Sequence, residues 1–193
     1  MSILKVNEIQ NISGNDFPVE NVGGIQLLST TTLSSSGTTA ANVSISTTGY
    51  NYIRGELINI TRSSGNLNDV RLRWNGSSGT SNYRYIMNRM DNNGSVSFIG
   101  KNGVNATDSG FPYNMIGVAG WTSGINIAVF ELYLVNDGVR KPFNMLQTGE
   151  NSGGGIVLHT RGFYNNTAAV TSLEITTTDT DINGGTLKIY GVK

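Results

Sequence analysis

From about residue 40 onward, short runs of alternating apolar and polar side chains recur between turns rich in Gly, Asn and Ser, and no window carries a capped helical stripe. That pattern restricts the fold to all-β. Candidate strands are 43–46, 52–60, 70–74, 83–90, 96–100, 115–118, 125–135, 143–146, 155–163, 170–176 and 186–192. So many short strands predict two packed antiparallel sheets, an antiparallel β-sandwich. The final strand shows the alternation plainly. After the Gly184-Gly185 turn, Leu187, Ile189 and Gly191 share one face and Lys188, Tyr190 and Val192 the other. Within 70–74, Val70, Leu72 and Trp74 are expected to face the core while Arg71 and Arg73 face out. The 125–135 strand is apolar on both faces, which places it mid-sheet or against another chain.

Composition supports this and narrows the function classes. With 25 Gly, 3 Pro and 13% charged residues, the chain is poor in helix formers. Thirteen basic residues balance thirteen acidic ones without a basic run, so neither nucleic acid nor an anionic membrane is an expected partner. Cysteine is absent, which excludes disulfides and thiol chemistry. The first residues are too polar for a signal peptide, and no run reaches transmembrane length; folding in a cytoplasm is expected.

The chain divides into an extended N-terminal arm over residues 1–28, a polar linker over 29–39 and the β-domain over 40–193. The arm carries Ile3, Leu4, Val6, Ile9, Ile12 and Phe17, broken by Ser13-Gly14-Asn15. It is too short to bury these side chains alone. They are the expected anchor and oligomer contacts.

Five segments carry a resemblance. Ile3-Leu4-Lys5-Val6-Asn7-Glu8-Ile9-Gln10-Asn11-Ile12-Ser13-Gly14 resembles the short motif that opens many tailed-bacteriophage fibre and virion-surface proteins. The stretches Tyr52 to Ile60, Val70 to Gly79 and Ser81 to Tyr85 are similar to a jelly-roll-like domain of phage tail fibres and head-surface proteins, and Gly185-Thr186-Leu187-Lys188-Ile189-Tyr190-Gly191 matches that domain's closing motif. The resemblance implies a homotrimeric, non-enzymatic virion component assembled in the host cytoplasm. Its partners would be its own copies, other tail or capsid proteins, and a host surface glycan. A tail-fibre role is the first expectation, and a capsid decoration protein the alternative.

Catalytic groups are sparse. The single histidine, His159, lies in a predicted strand without a nucleophile elbow, so a Ser-His-acid triad is not expected. A small glycan hydrolase is the weaker alternative; Glu56, Glu131 and Glu174 all lie in predicted strands and are its candidate carboxylates. No cofactor is expected. Asp179-Thr180-Asp181-Ile182-Asn183-Gly184 matches the first half of a calcium loop, with Asp179, Asp181 and Asn183 as candidate ligands, but Tyr190 stands where the bidentate acid belongs. A hairpin turn with Asn183 and Gly184 at positive φ is the preferred reading. Phe111, Tyr113 and Trp121 fall in predicted loops and are the candidate receptor contacts.

Overall fold

A computed structural model describes residues 9–10, 16–17, 24–34, 39–62, 70–78, 82–91, 94–99, 111–113, 126–151, 154–176 and 182–193. Among them the regular structure is entirely β. β1 (Ile9–Gln10) and β2 (Asp16–Phe17) form a separate antiparallel pair in which Ile9 faces Phe17. The eight-stranded sheet contains β3 (Ile25–Thr32), β5 (Tyr52–Arg62), β7 (Tyr83–Asp91), β8 (Val96–Ile99), β10 (Asn126–Tyr133), β11 (Lys141–Asn151), β12 (Gly154–Tyr164) and β14 (Ile182–Val192). Its order is β3-β14-β5-β10-β11-β12-β7-β8. The four-stranded sheet contains β4 (Thr39–Ser44), β6 (Val70–Trp74), β9 (Phe111–Tyr113) and β13 (Ser172–Thr176), in the order β4-β13-β6-β9. The fold is an all-β antiparallel sandwich, as the alternation predicts.

The core forms where the alternating apolar sets of the two sheets meet. Ile53, Leu57, Phe130, Leu132, Leu187 and Ile189 from the larger sheet pack with Val43, Leu72, Trp74, Leu173 and Ile175 from the smaller. Gly55 faces Phe130 directly across the β5–β10 ladder, and its missing side chain makes room for that ring. Phe130 in turn meets Trp74 edge-on at 5.9 Å and Phe143 at 6.4 Å between ring centroids. β10 lies fourth in the sheet and buries Ala128, Phe130 and Leu132. The mid-sheet expectation for this strand holds.

Polar side chains tie one end of the sandwich together. Trp74 N donates to the Tyr83 hydroxyl at 2.9 Å, that hydroxyl donates to Ser77 O at 3.0 Å, and Tyr164 Oη donates to Trp74 O at 3.0 Å. Burial pushes both tyrosine hydroxyls above the usual range. Asn75, at φ 54°, accepts from Thr171 N at 2.8 Å and donates to Ala169 O at 2.8 Å. Asn136 donates to Thr47 O at 2.6 Å and Tyr50 O at 2.9 Å. Lys141 is fully buried, and its ammonium donates to the carbonyls of Asp137, Val139 and Asn166 at 3.1, 3.0 and 3.0 Å. A buried charge persists only with such partners. Lys141→Met, which keeps the stem and removes the ammonium, is expected to cost about 3 kcal/mol in a denaturant melt by orphaning three carbonyls.

Three local expectations are corrected. Residues 25–28 of the arm and 29–32 of the linker form β3, which pairs with β14, and Leu33 beyond it is fully buried. Thr-rich sequence reads as a link but suits an edge strand equally well. Phe111-Pro112-Tyr113 is not a loop but β9, paired with β6. Its proline is tolerated because β9 is the edge of its sheet, where one side of the strand needs no ladder donor. The expected turn at Asn183-Gly184 lies inside β14, and the positive φ belongs to Gly185, at 126°. The second of two slips in the β14–β5 register, between Gly184 and Thr186, falls at this glycine, against Asn59 at φ 51°. The irregularity shifts the inward parity of β5 from Leu57 to Ile60, and Asn126 supplies both missing partners of Ile60, accepting from its N at 2.8 Å and donating to its O at 2.9 Å. β14 itself pairs on both sides, with β3 and β5. The predicted strand 115–118 lies outside the described residues.

Candidate functional site

The outward face of the eight-stranded sheet gathers most of the chemistry that the described residues offer. Each strand exposes every second side chain, and the ladder register lines these up in rows across the sheet. One row is aromatic. Val192, Tyr52 and Tyr133 face one another in sequence across β14, β5 and β10, and Pro142 and Phe163 pair on β11 and β12. The Tyr52 and Tyr133 rings lie 5.0 Å apart at 31°, and Phe163 is 50% exposed.

The neighbouring row is polar. Tyr190 faces Arg54, Arg54 faces Glu131, Glu131 faces Asn144 and Asn144 faces Arg161. These groups hold one another in place. Tyr133 Oη donates to Glu131, whose carboxylate pushes the phenol up to about 12. Arg54 lies 3.6 Å from Glu56, and Tyr190 Oη donates to Glu56 at 3.3 Å. Partial desolvation and this carboxylate hold the Tyr190 hydroxyl above its ordinary range. His159 Nε2 lies 2.6 Å from Asn144 Oδ1 and 3.2 Å from Arg161 Nε. A neutral ring nitrogen serves only one of these partners at a time. Burial and then the Arg161 charge push His159 below the usual histidine range.

A third row, at the opposite end of the strands, is apolar. Ile58 faces Ile127 and, on the far side of an exposed Thr148 that pairs with both Ile127 and Val157, Val157 faces Met90 and Met90 faces Val96. Ile127, Met90 and Val96 are 40%, 51% and 61% exposed. Six residues along β10 separate Ile127 from Tyr133, so the apolar and aromatic rows stand about 20 Å apart.

The predicted site residues are distributed differently. Glu56 and Glu131 come together as diagonal neighbours on this outer face, because Val129 is the direct partner of Glu56 and Arg54 that of Glu131. Glu174 lies in the other sheet, 4.0 Å from Arg73. Of the expected anchor contacts, Ile9 and Phe17 face each other in the β1–β2 pair, and Ile3, Leu4, Val6 and Ile12 lie outside the described residues. Phe111 and Tyr113 are in the edge strand β9, away from the aromatic row, and Trp121 lies outside the described residues. Asp179 and Asp181 also lie outside them, while Asn183 is an exposed residue of β14. Among the described residues, no group of three or more His, Asp or Glu side chains is placed to hold a metal.

Sequence reasoning missed the aromatic and polar rows because each strand contributes only one side chain to each. The signal that was available is the spacing of Tyr52 and Arg54 with that of Glu131 and Tyr133, each pair two apart on a predicted strand. Compared with protein-family models, with curated proteins and with solved structures, the chain matches none.

Proposed function

We propose that the chain is a non-enzymatic structural protein of a bacteriophage virion, a homotrimeric tail-fibre component attached through the arm residues that precede β3. The motifs at Ile3 to Gly14 and Gly185 to Gly191 suggest the virion setting. The observation that carries the assembly reading is the outer row of Ile58, Ile127, Val157, Met90 and Val96, apolar apart from Thr148 at its middle. Large apolar side chains aligned across the outside of a sheet, whose other side already packs a core, serve association rather than folding. The row adds to the apolar positions of the arm as the surface on which copies meet. Burial of each arm's apolar side chains against neighbouring copies offsets the entropy of ordering it.

Light scattering on the purified chain is expected to give the mass of three chains. The double substitution Ile127→Lys and Met90→Lys is expected to shift that mass toward one chain while leaving the melting temperature of the β-domain nearly unchanged, since both side chains are exposed. A wild-type monomer at micromolar concentration overturns the assembly reading. Cryo-electron microscopy of a particle that contains the chain tests its place; density on the capsid would replace the tail-fibre role with decoration.

A further inference from the structure

We propose, on the footing of the assembly reading above, that His159 is a proton-operated switch on the contact surface: copies associate while its imidazole is neutral and separate when it takes up a proton.

The ladder register sets His159 against the apolar surface. It lies on the outer face of β12, directly between Leu146 on β11 and Asn88 on β7. Val157, two residues earlier on the same strand, belongs to the apolar row and faces Met90. Leu146 is 47% exposed and faces Val129 on β10. The ring is thus bordered by Leu146 on one side and Val157 on another, and a copy seated on Ile127, Val157 and Met90 covers it as well. A neutral imidazole enters such a contact at little cost, whereas an imidazolium has to give up its hydration.

The surroundings offer that charge little relief. Arg161, two residues along β12, is itself a cation. On β7 the residues that share this face beside the ring are Ile86, Asn88 and Met90, and on β11 they are Asn144, Leu146 and Thr148, all uncharged. Phe98 of β8 stands beyond Asn88. By register, the carboxylate-bearing positions nearest the ring on this face are Glu131, two strands away, and Glu150, four residues along β11 from Leu146.

The contacts of the ring belong to its neutral form. Arg161 Nε lies 3.2 Å from Nε2, and Arg161 Nη2 lies 3.3 Å from Nδ1. A guanidinium only donates, so each contact needs a ring nitrogen with a free lone pair. The neutral ring has one such nitrogen and the imidazolium has none. Protonation therefore adds a charge and also releases Arg161 from the ring. Acceptors for the two N–H groups are already in place. Asn144 Oδ1 lies 2.6 Å from Nε2, and Asn88 Oδ1, across the β12–β7 ladder, is buried with no hydrogen-bond partner among the described residues. Two cations then share the margin of a surface that has to shed water for copies to meet.

The sign of the effect follows. Burial and then Arg161 already hold the ring below the ordinary histidine value of 6.5, and cover by a second copy lowers it further. Association is therefore complete above the pKa of the free chain and is lost as pH falls through it, in the region below 6.5. Each covered histidine weakens the association constant by up to about tenfold per pH unit.

The test uses the full chain in sedimentation equilibrium over a dilution series from pH 8 to pH 5.5, with circular dichroism at each pH. The wild type is expected to form three chains at pH 8 and to associate at least about tenfold more weakly at pH 5.5, with its circular dichroism unchanged. His159→Gln and His159→Asn, neutral throughout, are expected to associate equally at every pH. His159→Lys is expected to be dissociated at every pH. The chain has a single histidine, so its ring resonances in a nuclear magnetic resonance titration are unambiguous. Their midpoint is expected to fall as protein concentration rises through the dissociation range. A wild type whose association does not change with pH overturns the switch and leaves the assembly reading standing, as does the same pH dependence in His159→Gln and His159→Asn. A midpoint independent of concentration overturns it likewise. Dissociation that coincides with loss of the circular dichroism signal also overturns it, because unfolding then accounts for the change. A wild-type monomer at pH 8 overturns the assembly reading and the switch together.

Discussion

Ile189→Asp is expected to unfold the domain at room temperature, or to leave it within about 1 kcal/mol of unfolding. Ile189 is fully buried, and its strand pairs on both sides, so a carboxylate there cannot reach water by displacing an edge. Loss of the isoleucine packing alone is worth about 2–5 kcal/mol, and an unpaired buried carboxylate adds several more. Together these match the whole stability of a typical domain, about 5–15 kcal/mol. The neighbouring Lys188→Ala, on the outer face, is expected to cost under about 0.5 kcal/mol. Chemical denaturation followed by tyrosine and tryptophan fluorescence checks both. The deficit also has a pH signature. Burial raises the pKa of the new carboxyl in the folded state, so the folded protein binds more protons than the unfolded chain between the two values. Stability of the variant therefore rises as pH falls through that window. Equal tolerance of the two substitutions would mean that the inward face of β14 does not build the core.

The second large effect is expected at Gly55. Alanine in place of glycine within a strand is ordinarily neutral or mildly favourable, because glycine loses more backbone freedom on folding. Here the added Cβ would overlap the end of the Phe130 ring. That ring is fully buried and hemmed in by Trp74 and Phe143, so it has nowhere to retreat. Gly55→Ala is expected to destabilise by about 3 kcal/mol, at the upper end of overpacking costs. Phe130→Leu alone should also destabilise, by opening a cavity. The combination of the two should be less damaging than the sum, with a coupling of about 1–3 kcal/mol in a double-mutant cycle. Simple additivity would show that the glycine is not kept for the ring.

What the chain alone determined was the period of its strands and, with it, the sandwich. Leu72, Trp74, Leu187 and Ile189 are buried because side chains two apart on a strand must share a face, and burial of that face in an antiparallel sandwich follows from local pattern alone. The two-faced strand around Phe130 was legible for the same reason. Its neighbours were not. Which strands adjoin depends on long-range pairing that no local pattern encodes, so the diagonal approach of Glu56 to Glu131 and the stacking of Tyr52 with Tyr133 exist only once β5 lies beside β10. The strand at 25–32 was lost for a related reason, since its threonines carry no alternation and only the open edge of β14 recruits them. Phe111 to Tyr113 read as a loop because proline breaks a central ladder, yet its place at the sheet edge removes that objection. Lys141 is the clearest case. Its charge predicts exposure, and only the convergence of three carbonyls from the segments around Asp137, Val139 and Asn166 supplies the hydrogen bonds that let an ammonium stay in the interior.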